Sequence, residues 1–217
     1  RKKAAHAGVR EVKARSSPLY GQPSFRFLLS RNSKALKHVT ACSYSTIISH
    51  LDDSNQVAMV DVSGKHPTKR TARAQAVVDL PDHVAGALVA QRGKCSSTGG
   101  DEFHTAKGPV FATAIIAGTM AAKQTHTLIP FCHPLGVENC RFELRLRGAA
   151  VHIECVVTVH GKTGVEMEAL TGASVAALTV IDMLKALSSN ISIREVRLLE
   201  KTGGKSHFVA PPTGTPT

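Results

Sequence analysis

Cys140-Arg141-Phe142-Glu143-Leu144-Arg145-Leu146-Arg147 is followed, across Gly148-Ala149-Ala150, by Val151-His152-Ile153-Glu154-Cys155-Val156-Val157-Thr158-Val159. In the first run Cys140, Phe142, Leu144 and Leu146 alternate with Arg141, Glu143, Arg145 and Arg147. This is the two-residue period of a strand with one buried face. Val151, Ile153, Cys155, Val157 and Val159 keep the same period, and Gly148 to Ala150 supplies the turn of a hairpin. The period then changes. Thr163-Gly164-Val165-Glu166-Met167-Glu168-Ala169-Leu170-Thr171 opens an apolar helix, the longest in the chain, which is predicted to run to about Leu187. Thr163 and Glu166 have the spacing of a capping box at its start.

Working outward, Ala72, Ala74, Ala76, Val78 and Leu80 alternate with Arg73, Gln75, Val77 and Asp79, which predicts another strand. Asp82 is placed to cap a short helix running towards Arg92. Cys95 to Thr105 is small and polar, with Gly99-Gly100, and reads as an exposed loop. Lys107-Gly108-Pro109 opens a helix of about fifteen residues with Pro109 in its first turn, ending before Thr125. A last strand covers Ile191 to Leu199. The order strand, helix, helix, strand, strand, helix, strand predicts an α+β fold. Its sheet is antiparallel, with helices packed on one face, in the ferredoxin-like manner.

The 217 residues are 42% apolar but only 4% aromatic, with no Trp, so the core must be built from Val, Ile, Leu and Ala. No uninterrupted apolar run reaches the roughly eighteen residues of a membrane span. The net charge of +11 is unevenly placed. Residues 1–50 hold ten Lys/Arg and one acid, whereas residues 51–217 hold seventeen Lys/Arg and fifteen Asp/Glu. The basicity therefore belongs to residues 1–56, which read as a tail or linker or as an Arg- and Ser-rich targeting segment. Residues 57–217 read as the folded domain, whose near balance of charge and few aromatics argue against a nucleic-acid surface. Five cysteines, Cys42, Cys95, Cys132, Cys140 and Cys155, form no CxxC pair, so neither a disulfide framework nor a structural zinc site is expected.

Two apparent phosphate loops fail on inspection. Gly204-Lys205-Ser206 and Gly161-Lys162-Thr163 end like a Walker A motif, but Leu199 and Val156 stand where its first glycine belongs. Within Leu128-Ile129-Pro130-Phe131-Cys132-His133-Pro134-Leu135, His133 sits between prolines that would fix its loop. It reads either as a histidine satisfied by a backbone carbonyl or as a catalytic group. A metal site is not expected, since no second ligand lies at the required spacing. Glu166 and Glu168 fall in a helix's first turn, where dipole complementarity accounts well for Glu166 and less well for Glu168. Asp182 and Lys185 lie three apart near the other end of that helix, either a surface pair or part of a site. Lys65, Lys69, Arg70, Lys107, Lys123, Lys201 and Lys205 are scattered cations that together suit a polyphosphate. Glu168 and Asp182 are fourteen residues apart, about 21 Å along a helix axis, too far for one nucleotide-sized molecule to touch both on one chain.

Met59-Val60-Asp61-Val62-Ser63-Gly64-Lys65, Lys107-Gly108-Pro109-Val110-Phe111-Ala112-Thr113-Ala114 and Leu128 to Leu135 resemble, in order, blocks of the cyclic pyranopterin monophosphate synthase family of molybdenum cofactor biosynthesis. So do Lys162 to Lys185 and Leu198 to Lys205. The resemblance spans roughly residues 57–209. It implies a ferredoxin-like hexamer, a trimer of dimers with active sites between subunits. The implied reaction converts 3′,8-cyclo-7,8-dihydroguanosine triphosphate to cyclic pyranopterin monophosphate with release of pyrophosphate. It places the catalytic residues at Asp182, Lys185, Lys107 and His133. Substrate binding falls to Phe131, Cys132, His133, Glu166, Met167, Glu168, Asp61, Lys65, Arg70, Lys123, Lys201 and Lys205. Such a rearrangement needs proton transfers and cations for the leaving pyrophosphate. It needs no cofactor, and none is expected; no membrane or nucleic-acid partner is expected either.

The Cys95–Thr105 loop is longer than the resemblance would lead one to expect. Arg1-Lys2-Lys3-Ala4-Ala5-His6-Ala7-Gly8 resembles the end of the radical S-adenosylmethionine GTP cyclase of the preceding step, which implies a fused or associated cyclase. No CxxxCxxC motif occurs, so that first step is not expected of this chain. The compartment implied is the mitochondrial matrix in a eukaryote and the cytoplasm otherwise. The rival reading is a non-catalytic ferredoxin-like module that binds a nucleotide or RNA.

Overall fold

The computed structural model describes residues 56–91 and 102–212. All but the last residue of the expected tail, 1–56, and most of the Gly99-Gly100 loop lie outside the described residues. The elements are β1 (Thr68–Asp79), α1 (Asp82–Val89), β2 (His104–Thr105), β3 (Gly108–Pro109), α2 (Val110–Lys123) and α3 (Thr125–Leu128). They continue with β4 (Asn139–Arg147), β5 (Ala150–Gly161), α4 (Glu166–Leu184), β6 (Ser192–Thr202) and β7 (Phe208–Val209). One five-stranded sheet has the order β4-β5-β1-β6-β7, every neighbour antiparallel, and β2-β3 form a separate small ribbon. The fold is α+β, as the alternation of periods predicts.

The hairpin forms as read. Phe142 lies opposite Cys155, Leu144 opposite Ile153 and Leu146 opposite Val151. Gly148, at φ 58, turns the chain in the left-handed region that suits glycine. Ala72, Ala74 and Ala76 of β1 are fully buried, as are Ala169, Ala173, Ala176, Ala177 and Val180 of α4. These small side chains let α4 lie close on the sheet, and α2 packs beside it. At that crossing a Cβ on Gly118 would stand 2.6 Å from the Phe142 ring and 2.8 Å from the Gly172 carbonyl oxygen. Glycine is therefore required by space rather than by backbone angle. α4 is long and apolar enough to cross a membrane by composition, yet half of it is buried and it packs on β1, β5 and β6, as a core helix does.

Several boundaries differ from the sequence reading, each for a physical reason. α1 ends at Val89 rather than near Arg92, and Pro81 rather than Asp82 is its N-cap. The Pro81 carbonyl accepts the Val84 and Ala85 N–H groups at 2.9 and 3.0 Å, leaving Asp82 to complement the dipole from the first turn. Pro109 is the N-cap of α2 with extended angles, because Gly108-Pro109 is tied to His104-Thr105 in the ribbon. The loop read as wholly exposed carries Phe103, which is fully buried and meets the Phe111 ring edge-on at 5.2 Å. No capping box forms at α4: Val165 is the N-cap, and the Glu166 carboxylate instead pairs with Lys201 at 3.0 Å. α4 ends at Leu184, three residues early, with Lys185 as C-cap. β6 runs on to Thr202 and pairs with β7, a two-residue strand too short to show a period.

Candidate active site

A cleft of about 480 Å³ opens where the first turn of α4, the 131–135 segment, the chain before β1 and the turn after β6 converge. Phe131, Cys132, His133, Met167 and Glu168 line one part of it, and Lys65, Arg70, Lys162, Lys201 and Lys205 the rest. The structure thus brings ten side chains from four separate stretches of sequence to one concavity that is apolar at one end and cationic at the other.

The cationic end is built by the two glycine-bearing turns that are not Walker motifs. Arg70, on β1, donates from Nε to the Gly161 carbonyl at 3.0 Å, which orients its guanidinium along the turn between β5 and α4. Gly203, at φ 84, brings the turn after β6 against β1: a Cβ there would lie 1.8 Å from the Lys69 carbonyl oxygen. Thr68 Oγ1 donates to the Gly203 carbonyl at 2.8 Å and holds that approach. Glu166 folds back over Gly164, its Oε2 only 1.8 Å from where a Cβ would be, so a side chain at 164 would turn that carboxylate away. Among the described residues, four of the cations here have no carboxylate within ion-pair distance; Lys201 is shared with Glu166.

The apolar end holds an unusual carboxyl group. Glu168 is 4% exposed, and burial, aided by the nearby Glu166 charge, holds its pKa above the ordinary carboxylate range. The Cys132 thiol is pushed up by its own burial and by the Glu168 carboxylate, so it stays a neutral thiol rather than a ready nucleophile. His133 places Nε2 2.9 Å from the Val60 carbonyl oxygen. The reading of this residue as satisfied by a backbone carbonyl is met, and the side chain also lines the cleft. Lys162 Nζ donates to the Ser63 carbonyl at 2.9 Å, so His133 and Lys162 together pin the 60–63 segment along the cleft.

The other predicted residues gather elsewhere. Lys107, in the turn of the β2-β3 ribbon, donates to Asp182 Oδ2 at 2.7 Å and to the Asp182 carbonyl at 2.8 Å. Lys185 Nζ stands 2.7 Å from Asp182 Oδ1. One carboxylate thus holds two ammonium groups, and their hydrogen bonds bring the Asp182 pKa down to about 2. About half of each side chain is exposed, so the cluster faces outward rather than supporting the core. It sits at the C-terminal end of α4 and the cleft at the N-terminal end, separated on this continuous helix by about 21 Å of rise. Asp61 and Lys123 join neither group. Asp61 accepts from the Ser63 N–H and hydroxyl at 2.8 and 3.0 Å, a local turn that lowers its pKa. Lys123 ends α2 and its charge acts on Cys140.

Lys162, Gln91 and Glu102 are not among the candidate site residues expected from the sequence. A lysine in a glycine-bearing turn was the available signal for Lys162. Gln91 and Glu102 fall in stretches read as helix end and exposed loop, where nothing local marks them.

The model of the MoaC family matches residues 59–204, more than half of the chain. The chain is 52% identical over 166 residues to a protein of Xanthomonas oryzae pv. oryzae named cyclic pyranopterin monophosphate synthase. That alignment covers 76% of this chain and 94% of the relative. It is 48% identical to Molybdenum cofactor biosynthesis protein 1 of Dictyostelium discoideum, over 71% of this chain and 26% of that protein. It is 44% identical to a Molybdenum cofactor biosynthesis bifunctional protein of Synechocystis, over 76% of this chain and 46% of that protein. The chain thus spans about a quarter and about half of these two longer relatives. All the cleft and cluster residues except Lys205 fall inside the matched span, and the chain belongs to the MoaC family.

Proposed function

We propose that this chain is an enzyme of molybdenum cofactor biosynthesis that converts 3′,8-cyclo-7,8-dihydroguanosine triphosphate to cyclic pyranopterin monophosphate and pyrophosphate. The single observation that carries the reading is the polarity of the cleft. Lys65, Arg70, Lys162, Lys201 and Lys205 suit a triphosphate, while Phe131, Met167 and the buried Glu168 suit the flat, hydrogen-bonding ring system at its other end. The cations would stabilise charge on the departing pyrophosphate. Lys107 and Lys185, oriented by Asp182, would exchange protons as the aminal opens and the pyrazine ring forms.

Strand order β4-β5-β1-β6, with both long helices on one face, supports a ferredoxin-like fold. The separation of the two clusters along α4 supports an oligomer, a hexamer in this reading, whose sites take the cleft from one subunit and the lysine cluster from another. The bifunctional Synechocystis relative and the longer Dictyostelium relative support fusion or association with a second part, in this reading the enzyme of the preceding step. The acid-poor, Arg- and Ser-rich stretch 1–50 supports a mitochondrial location in a eukaryote. The rival reading as an RNA-binding module loses ground on the open face of the sheet. Its central strands present Arg73, Gln75, His152 and Glu154 there, with Arg73 paired to both Glu154 and Glu200 at 3.3 Å, and no Phe, Tyr or Trp for base stacking.

The test is turnover. The purified protein, given the cyclised GTP intermediate, should release pyrophosphate and form the cyclic monophosphate in equal amounts. Tight binding of the intermediate without either product would point to the binding module instead.

A further inference from the structure

Glu102 lies outside every segment that carries the resemblance, yet its carboxylate makes the densest set of hydrogen bonds near the lysine cluster. Oε1 accepts the N–H groups of Phe103 at 2.8 Å and Phe111 at 2.9 Å, and Oε2 accepts that of Ala112 at 2.9 Å. The acceptor therefore sits at the N-terminus of α2, where Pro109 offers no side-chain cap. Between its first and second partners the chain leaves and returns. It passes out along β2, turns at Ala106-Lys107, comes back along β3 through Gly108 at φ 111, and enters the helix. The loop is closed at its base a second time, since the Val110 N–H donates to the Phe103 carbonyl at 2.8 Å. The Phe103 ring is fully buried against Phe111. Gln91 braces the outer strand, its side-chain amide bonding the His104 N–H at 3.0 Å and carbonyl at 3.3 Å.

Only one side chain in this ribbon reaches the candidate chemistry. Lys107 is anchored by its own N–H on Thr105 Oγ1 at 3.1 Å and extends Nζ to Asp182. We infer that Glu102 is a positioning residue for Lys107: its carboxylate ties the base of the ribbon to the start of α2 and so sets where the ribbon's tip delivers the ammonium group. This rests on the reaction proposed above for Lys107, but the geometry itself does not depend on it. In Glu102→Gln, keeping the oxygen at the Oε1 place turns an NH₂ group against the Ala112 N–H, and flipping it turns that group against two N–H donors. In Glu102→Asp the charge stays, but the side chain is one methylene shorter and cannot reach across to the helix as well as to Phe103.

The experiment has two readouts on the full chain. The first is limited amine labelling read by mass spectrometry, with the other lysines as internal standards. Lys107 should label several-fold faster in Glu102→Gln than in wild type, and Lys185 should change less. The second is a mutant cycle on kcat for release of pyrophosphate. Glu102→Gln should lower kcat by about 10–100-fold, as expected for a misplaced group, with KM little changed. Combined with Lys107→Ala it should add almost nothing to the loss from Lys107→Ala alone, because the same group is already gone. Glu102→Asp should fall between wild type and Glu102→Gln in both readouts, and it serves the test if Glu102→Gln does not fold. Losses that multiply in the double variant, or Lys107 labelling that ignores Glu102, would overturn the assignment. If wild type shows no turnover while Lys107 labelling still responds to Glu102, the proposed reaction is wrong and the positioning role stands.

Discussion

Replacing Gly203 by Ala should damage stability and substrate affinity together. The residue sits at φ 84, and an added Cβ would lie 1.8 Å from the Lys69 carbonyl oxygen, 2.8 Å from the Lys69 carbonyl carbon and 3.0 Å from the Arg70 Cα. These are backbone atoms of β1, so no side chain can swing aside. The left-handed angle alone costs an alanine about 1–2 kcal/mol. Contacts between nonbonded heavy atoms belong near roughly 3.5 Å, so the turn and the strand must part by more than about 1 Å. That movement also loosens the bond from Thr68 Oγ1 to the Gly203 carbonyl, a further contribution of about 1 kcal/mol. The total, roughly 2–3 kcal/mol, should lower Tm by about 5–10 °C for a domain of this size. The same turn bears Lys205 and follows Lys201, both in the cleft, and β1 bears Arg70. A displacement there should raise KM about tenfold or more, equivalent to 1.4 kcal/mol or more of lost binding, with a smaller effect on kcat. Thermal denaturation and steady-state kinetics on the same preparation measure both. Wild-type Tm and KM in Gly203→Ala would refute the argument that this close approach shapes the cationic end.

Lys107→Ala and Lys185→Ala should each cut kcat by about 10²–10⁴-fold, the range for acid–base groups. Tm should hardly change, because their pairs with Asp182 are half-exposed; a large loss of Tm with a modest loss of rate would mark them as structural. Glu168→Gln should be less active yet more heat-stable than wild type above the acid range. The Glu168 pKa is raised in the fold above its ordinary 4.5. Its contribution to stability is therefore intact below the ordinary value and is lost as pH rises through the folded value. The Tm advantage of the Gln variant should accordingly grow as pH rises across that window, and an advantage independent of pH would show that the fold does not raise this pKa.

Long periodic segments were legible because burial on one face writes itself into the sequence. The hairpin of Cys140 to Val159, the alternation of β1 and the apolar run of α4 all follow from that. Termini were less legible because competing partners decide them. Thr163 and Glu166 have capping-box spacing, but Lys201, thirty-five residues further on, takes the Glu166 carboxylate. Glu102 caps a helix that begins eight residues after it, a pairing with no local spacing to reveal it. The candidate residues were marked by resemblance, whereas their grouping was not: only the helix length of about 21 Å between Glu168 and Asp182 pointed to separate clusters. The Walker-like turns failed as motifs and still form the cationic end, since what a phosphate needs is cations held together, and the close backbone approach at Gly203 brings Lys201 and Lys205 beside Arg70 without the motif's spacing.

The central claim is that one reaction uses two clusters held apart on each chain. Glu168→Ala and Asp182→Ala proteins should each be inactive. Dissociated, mixed in equal amounts and reassembled, with mixed oligomers verified by tags, they should regain activity. If the site joins the cleft of one subunit to the lysine cluster of another, random mixing leaves roughly a quarter of the sites with neither substitution, and about that fraction of wild-type turnover should return. No recovery in verified mixed oligomers would contradict the account.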